Sequence, residues 1–171
     1  ENVFEDLNRG KELKKYDDRD SQKILKDIGL ISNKPYIIVC NVDENNVNSG
    51  NKYTNLIKKN YPDQKIVTIC ADIEDQITDL KPDERETYMK NIGLNKTGLN
   101  QLIKTGYELL NLSTFFTSGP EESRAWTVKK DTSAQKAAGV IHSDFEKNFI
   151  RAEAVDTNDF IRFGSAEKCK E

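Results

Sequence analysis

The sequence predicts an α/β chain, with a parallel strand–helix–strand unit among helices, followed by a smaller α+β unit. Three observations carry this reading. Two short, β-branched apolar runs, 35–41 and 65–70, enclose a helical stretch. Several other segments repeat apolar residues at helical spacing. Near Asn111 the pattern changes to short strands with turn residues between them. The 171 residues are enough for one domain or two small ones, and for a buried core.

Composition narrows the function classes. Charged residues make up 32% and hydrophobic residues 36%, so the chain is polar without being disorder-like. A formal net charge of −3 argues against a protein held to nucleic acid by bulk charge, and no DNA partner is expected. No apolar run approaches bilayer-spanning length, so no membrane partner is expected either. The chain opens at Glu1 with no signal peptide ahead of it and reads as a piece of a longer protein. Its three cysteines, Cys40, Cys70 and Cys169, are odd in number and form no CxxC. That fits neither a disulfide framework nor a zinc site, and a reducing cytoplasm suits it best.

The elements follow in order. Residues 1–34 are charge-dense and helical, polar around Phe4, Leu7 and Leu13. Asp20 is expected to cap a helix over 21–30 with Ile24, Leu25 and Ile28 on one face, and Gly29 to end it. Run 35–41 has the signature of a strand buried on both faces. A polar loop occupies 43–51, and 52–60 is a short helix with Tyr53, Leu56 and Ile57 on one side. Run 65–70 is a second strand of the buried kind, so the two strands should be parallel neighbours. Ligands of such sheets bind beyond the carboxyl ends of the strands. Here those ends are Asn41-Val42-Asp43-Glu44 and Cys70-Ala71-Asp72-Ile73-Glu74. Pro82 opens a helix over 83–92 that Gly93 ends, and Thr97 caps one over 98–110. Beyond a boundary near Leu112, strands are expected over 113–117 and 124–128, joined through Ser118-Gly119-Pro120. A helix capped by Thr132 or Ser133 should run to about Ile141, and a further strand should cover 149–155.

The strongest candidate site is Asn41-x-x-Glu44 after the first strand. In P-loop nucleotide enzymes a strand so placed ends in Asn-Lys-x-Asp. Its Asn ties the surrounding loops together, and its carboxylate accepts hydrogen bonds from the edge of the base. The next strand ends in a small-residue turn whose amide faces the base, and Cys70-Ala71 stands there. Alone, an Asn-x-x-acid is usually only a turn. Its place in a strand–helix–strand unit, paired with the second turn, raises the functional reading.

Other candidates are weaker. The stretch 43–50 looks like a calcium loop but has Val47, Asn48 and Thr54 where that loop needs a ligand, a Gly and a Glu. His142-Ser143-Asp144 cannot converge as a triad, and a capping histidine is the plainer reading. Cys40 and Cys70, at equivalent strand ends, read as packing thiols, with Cys70 also beginning the base-facing turn. The carboxylates Asp72, Glu74, Asp75, Asp79, Asp83, Glu84 and Glu86 read as a solvated acidic face. Phe115, Phe116, Arg124, Trp126, Lys129, Lys130, Lys136, Lys147 and Arg151 interleave aromatics with cations, which can bind RNA. Residues 113–171 nevertheless hold 9 basic and 10 acidic side chains, and strand alternation favours a core role for the aromatics.

Several long stretches carry a resemblance. Phe115-Phe116-Thr117-Ser118-Gly119-Pro120, Arg124-Ala125-Trp126-Thr127-Val128-Lys129-Lys130, 137–146 and Phe149-Ile150-Arg151-Ala152-Glu153 closely resemble the TGS domain of the Obg-like (YchF-type) ATPases. Upstream, Lys34-Pro35 with its strand, Asn41 to Glu44, Cys70 to Glu74 and Gly98-Leu99-Asn100-Gln101-Leu102-Ile103 resemble the second half of that family's nucleotide domain. Residues 1–17 resemble the end of the family's inserted helical, coiled-coil arm.

The resemblance implies a division into that arm end (1–17), the C-terminal half of a Ras-like P-loop domain (18–112) and a β-grasp TGS domain cut short at its C-terminal end (113–171). It implies a cytoplasmic parent protein that hydrolyses ATP with Mg²⁺ and binds the ribosome, through the large subunit and rRNA. GTP is the alternative nucleotide. It places Asn41, Val42, Glu44, Cys70 and Ala71 around the base. No catalytic or metal-binding residue of the family is expected here, because the sequence holds no G-x-x-x-x-G-K-[ST] phosphate loop. By itself this stretch should bind nucleotide weakly and hydrolyse none. A non-catalytic adaptor, contacting RNA or ribosomal protein through the TGS part, is the alternative function. The residues alone do not choose ATP. A carboxylate accepts well from guanine N1–H and N2–H₂, whereas adenine offers it only N6. Selection of adenine would need Glu44 turned away, or backbone groups near Val42 and Cys70-Ala71 reading the base edge.

Overall fold

A computed structural model describes residues 2–11, 13, 16, 18–119 and 121–169. Pro120 of the expected turn lies outside the described residues. The chain is an α/β protein of helices and two small sheets, and it divides into two compact units, 1–110 and 111–171.

In the first unit, α1 (Asn2–Asn8) is followed by α2 (Arg19–Ile28). Asp18 caps α2 by accepting the Ser21 amide at 2.9 Å. The expected cap, Asp20, falls instead in the first turn, because an N-cap carboxylate reaches the amide three residues on. Gly29 ends the helix in the left-handed region, φ 72°, donating to the Leu25 and Lys26 carbonyls.

Strands β1 (Ile37–Asn41) and β2 (Lys65–Ile69) pair in parallel, from Ile37 opposite Lys65 to Asn41 opposite Ile69. Between them lies α3 (Lys52–Asn60), opened by a capping box of Asn51 and Thr54. That box turns Thr54 inward, 2% exposed, while Tyr53 and Leu56 are exposed. Nor is β1 buried on both faces, since Val39 is exposed. With β2 as its one described neighbour, β1 lacks the layers its apolar run is suited to.

Three helices complete the unit: α4 (Ala71–Asp79), α5 (Pro82–Asn91) and α6 (Gly98–Leu109). Cys70, Ile73 and Ile77 form the core of this part, with Val47, Tyr88, Met89, Ile92 and Leu94 packed against them. Helix α6 packs on β2. The contact needs Gly98, where an added Cβ would lie 2.6 Å from Ile69 Cγ2.

In the second unit, β3 (Leu112–Ser118) and β4 (Ser123–Lys129) form an antiparallel hairpin. Helix α7 (Ala134–Ile141) packs on β4 and on α8 (Ser143–Lys147). The strand expected over 149–155 is irregular, with Ile150 92% exposed. A strand needs a neighbouring strand to pair with, and among the described residues none is paired with this stretch. Helix α9 (Thr157–Phe163) follows, capped by Asp156 and closed by Gly164. Among the described residues no helix is long and apolar enough to cross a membrane.

Candidate functional site

The carboxyl ends of β1 and β2 lie side by side because the strands are parallel and in register. At that edge Asn41 Oδ1 accepts the backbone N–H of Ala71 at 3.0 Å. One residue on, the Val42 N–H donates to the Ile69 carbonyl at 2.9 Å, extending the ladder past the last strand residue. The side chain thus bridges the end of one strand to the turn after the next. With Oδ1 engaged, the Asn41 Nδ2 group remains as a donor at an exposed position.

The expected site residues divide by environment. Val42 is buried, 9% exposed, with its N–H given to the Ile69 carbonyl. Cys70 is 1% exposed and serves as the N-cap residue of α4 without a side-chain cap bond. Ala71, the first residue of α4, is exposed. Glu44 is exposed and begins a 3₁₀ turn, Glu44–Asn46.

The loop carrying Glu44 is tied down. Asn46 Nδ2 donates to both Asp43 carboxylate oxygens at 2.7 Å. Asn48 Nδ2 donates to the Ile92 carbonyl at 2.9 Å, and Val47 joins the core cluster. In the stretch that looks superficially like a calcium loop, Asp43 is thus committed to Asn46. Glu44 itself accepts a hydrogen bond from Gln76 Nε2 of α4 at 3.1 Å, and Tyr88 of α5 donates its hydroxyl to Gln76 Oε1. Sequence reasoning missed Gln76 and Tyr88. Their role depends on α4 starting directly at the β2 end, which nothing local to either residue signals.

Glu74 also differs from expectation. Its carboxylate accepts from the Gly98 and Leu99 amides, at 2.6 and 3.2 Å. It caps α6 jointly with Thr97, whose hydroxyl accepts from the Asn100 amide, so it is not part of a merely solvated face. Cys40 pairs across from Thr68, and both it and Cys70 are free thiols.

In the second unit His142 is a capping residue, its Nδ1 accepting from the Asp144 amide at 3.2 Å. Trp126 stands opposite Phe115 and donates Nε1–H to Thr117 Oγ1 at 2.9 Å, with the Arg124 guanidinium 4.3 Å over its ring. Phe115 and Trp126 are half-buried, whereas Phe116 is exposed.

The chain is similar to known proteins across both units. Residues 112–171 match the family YchF-GTPase_C, described as a protein of unknown function (DUF933). The ribosome-binding ATPase YchF of Bacillus subtilis is 40% identical over 156 residues, covering 89% of this chain and 43% of that protein. The protein of the same name from Escherichia coli O157:H7 is 38% identical over 146 residues, covering 84% of this chain and 40% of its own. The solved structure of the Schizosaccharomyces pombe YchF GTPase superposes with a TM-score of 0.76 at 32% identity, over 90% of this chain and 42% of that one. The chain thus spans less than half the length of these relatives. Similarity at this level, through both units and in sequence as well as structure, is to the YchF family.

Proposed function

We propose that residues 18–112 are the base-binding half of a P-loop nucleotide domain in a longer ATPase, and that Asn41, Val42, Glu44, Cys70 and Ala71 receive the purine of ATP. The observation that carries this reading is the hydrogen bond from Ala71 N–H to Asn41 Oδ1. An Asn that merely makes a turn bonds backbone two or three residues along. Asn41 reaches 30 positions ahead, to the turn that faces a base in P-loop domains. Its free Nδ2 donor suits the N7 acceptor common to purines.

On this reading Val42 and Cys70-Ala71 frame the base with backbone, and Glu44 reads its amine edge. The phosphates and Mg²⁺ would be held by residues outside this sequence, which contains no phosphate loop. Residues 1–17 are the end of an inserted helical arm, and residues 113–171 are a β-grasp TGS domain. Ribosome binding is carried over from the names of the relatives, and a cytoplasmic location would follow from it.

The test is equilibrium binding of ATP to the intact protein and to Asn41→Ala. Losing the bridge and the donor should weaken ATP about tenfold, the worth of one to two hydrogen bonds. Unchanged affinity would reduce Asn41 to a turn residue and overturn the proposal.

A further inference from the structure

We infer that Gln76 is a purine-selectivity residue, tilting the base site towards adenine and against guanine by holding Glu44. The inference rests on the reading of Asn41 and Glu44 as base-site residues. It starts from a chain of donors: the Tyr88 hydroxyl gives to Gln76 Oε1, and Gln76 Nε2 gives to Glu44 Oε1 at 3.1 Å. The Tyr88 side chain packs against Cys70, Ile73 and Ile77. One end of the relay is therefore fixed in the core and the other lies in the loop at the strand ends. Tyr88 consumes the Gln76 carbonyl, and that orients the amide –NH₂ towards Glu44.

Guanine and adenine ask different things of such a carboxylate. Guanine presents N1–H and N2–H₂ side by side and is best met by both carboxylate oxygens together. Adenine presents a single amine, N6, which one oxygen satisfies. A Glu44 turned to α4 through Oε1 has Oε2 to offer, so it can take N6. To take guanine bidentately it must commit both oxygens, so that Oε1 serves Gln76 and the base at once. The Ala71 amide poses a second obstacle. A guanine O6 would need a donor there, and that N–H is already given to Asn41. Adenine has no acceptor at that position. Guanine therefore competes for contacts that adenine leaves in place.

Gln76 is exposed and touches the base only through Glu44, so it is a positioning residue. The experiment is competition of ATP and GTP for the full-length protein, wild type against Gln76→Leu, Gln76→Lys, Tyr88→Phe and Asn41→Ala. Gln76→Leu should shift the ratio of affinities about fivefold towards GTP, the worth of one exposed hydrogen bond. Gln76→Lys keeps a donor for Glu44 and should restore the wild-type ratio. Tyr88→Phe should shift it in the same direction as Gln76→Leu, by about twofold, because the amide loses its orientation but not its donor. An unchanged ratio in Gln76→Leu, with both nucleotides weakened by Asn41→Ala, overturns the role of Gln76 and leaves the base site standing. Unchanged affinities in Asn41→Ala overturn both.

Discussion

Asn41 and Ala71 are 30 residues apart in sequence and 3.0 Å apart in space, side-chain oxygen to backbone nitrogen. The two halves of the Asn41 amide have separate duties on the reading above. Asn41→Asp keeps an acceptor for the Ala71 N–H and removes the Nδ2 donor. Thermal stability of the intact protein should therefore stay within about 0.5 kcal/mol of wild type while purine affinity falls. A large loss of stability would show that Nδ2 serves the fold.

Glu74 joins α4 to the start of α6 by accepting two of its free amides. Glu74→Ala should cost about 1–2 kcal/mol in chemical denaturation. Glu74→Gln keeps an acceptor and loses only the charge at the helix N-terminus, so it should cost less. Equal losses for the two would assign the whole effect to charge.

Gly98 is required by contact rather than by backbone conformation. A Cβ there would meet Ile69 Cγ2 at 2.6 Å, Ile69 Cβ at 3.0 Å and Glu74 Oε1 at 3.0 Å. Alanine is ordinarily the better helix former, so on an open surface Gly98→Ala would stabilise. Here it should destabilise by about 1–3 kcal/mol, as overpacking does. A rise in melting temperature would falsify the close approach of α6 to β2.

Acid should loosen two helices. Lys90 lies 2.6 Å from Glu86 in α5, and its hydrogen bond, reinforced by its charge, holds the Glu86 carboxyl below the ordinary 4.5. The Ser21 side chain, aided by its backbone amide, does the same for Asp18 at the start of α2, whose ordinary value is 3.8. Both folded values lie below the unfolded ones. The stabilisation is therefore full above the unfolded value and is lost as pH falls through the folded one. Carboxyl titration by NMR should place the Glu86 midpoint below 4.5 and that of Asp18 below 3.8. Lys90→Met should return Glu86 towards its ordinary value.

The strand–helix–strand unit was legible because its signals are local. Runs 35–41 and 65–70 are β-branched and bounded by turn residues, and Thr97 and Gly93 punctuate helices by themselves. The Asn41 motif was legible for the same reason, as was the turn it reaches. Helix α4 was not. Its apolar residues Ile73 and Ile77 are outnumbered by acids, and no side chain caps its start at Cys70. Its stability comes from burying those two isoleucines in a tertiary cluster, about 1.5–3 kcal/mol each. Missing α4 meant missing what hangs on it: the Gln76 contact with Glu44 and the change of Glu74 from a surface charge to a cap. Run 149–155 failed the other way, expected as a strand but paired with none among the described residues.

Helix α4 is fastened at its first residue to β1, through Ala71 and Asn41, and one turn later to α6, through Glu74. These fastenings share one rigid body of nine residues, so neither can release without disturbing the other. In hydrogen exchange the amides of Ala71, Gly98 and Leu99 should behave as one opening unit with a common free energy, although they belong to two helices. A ligand gripping the end of β1 would then slow exchange at the start of α6, a signature carried by three hydrogen bonds.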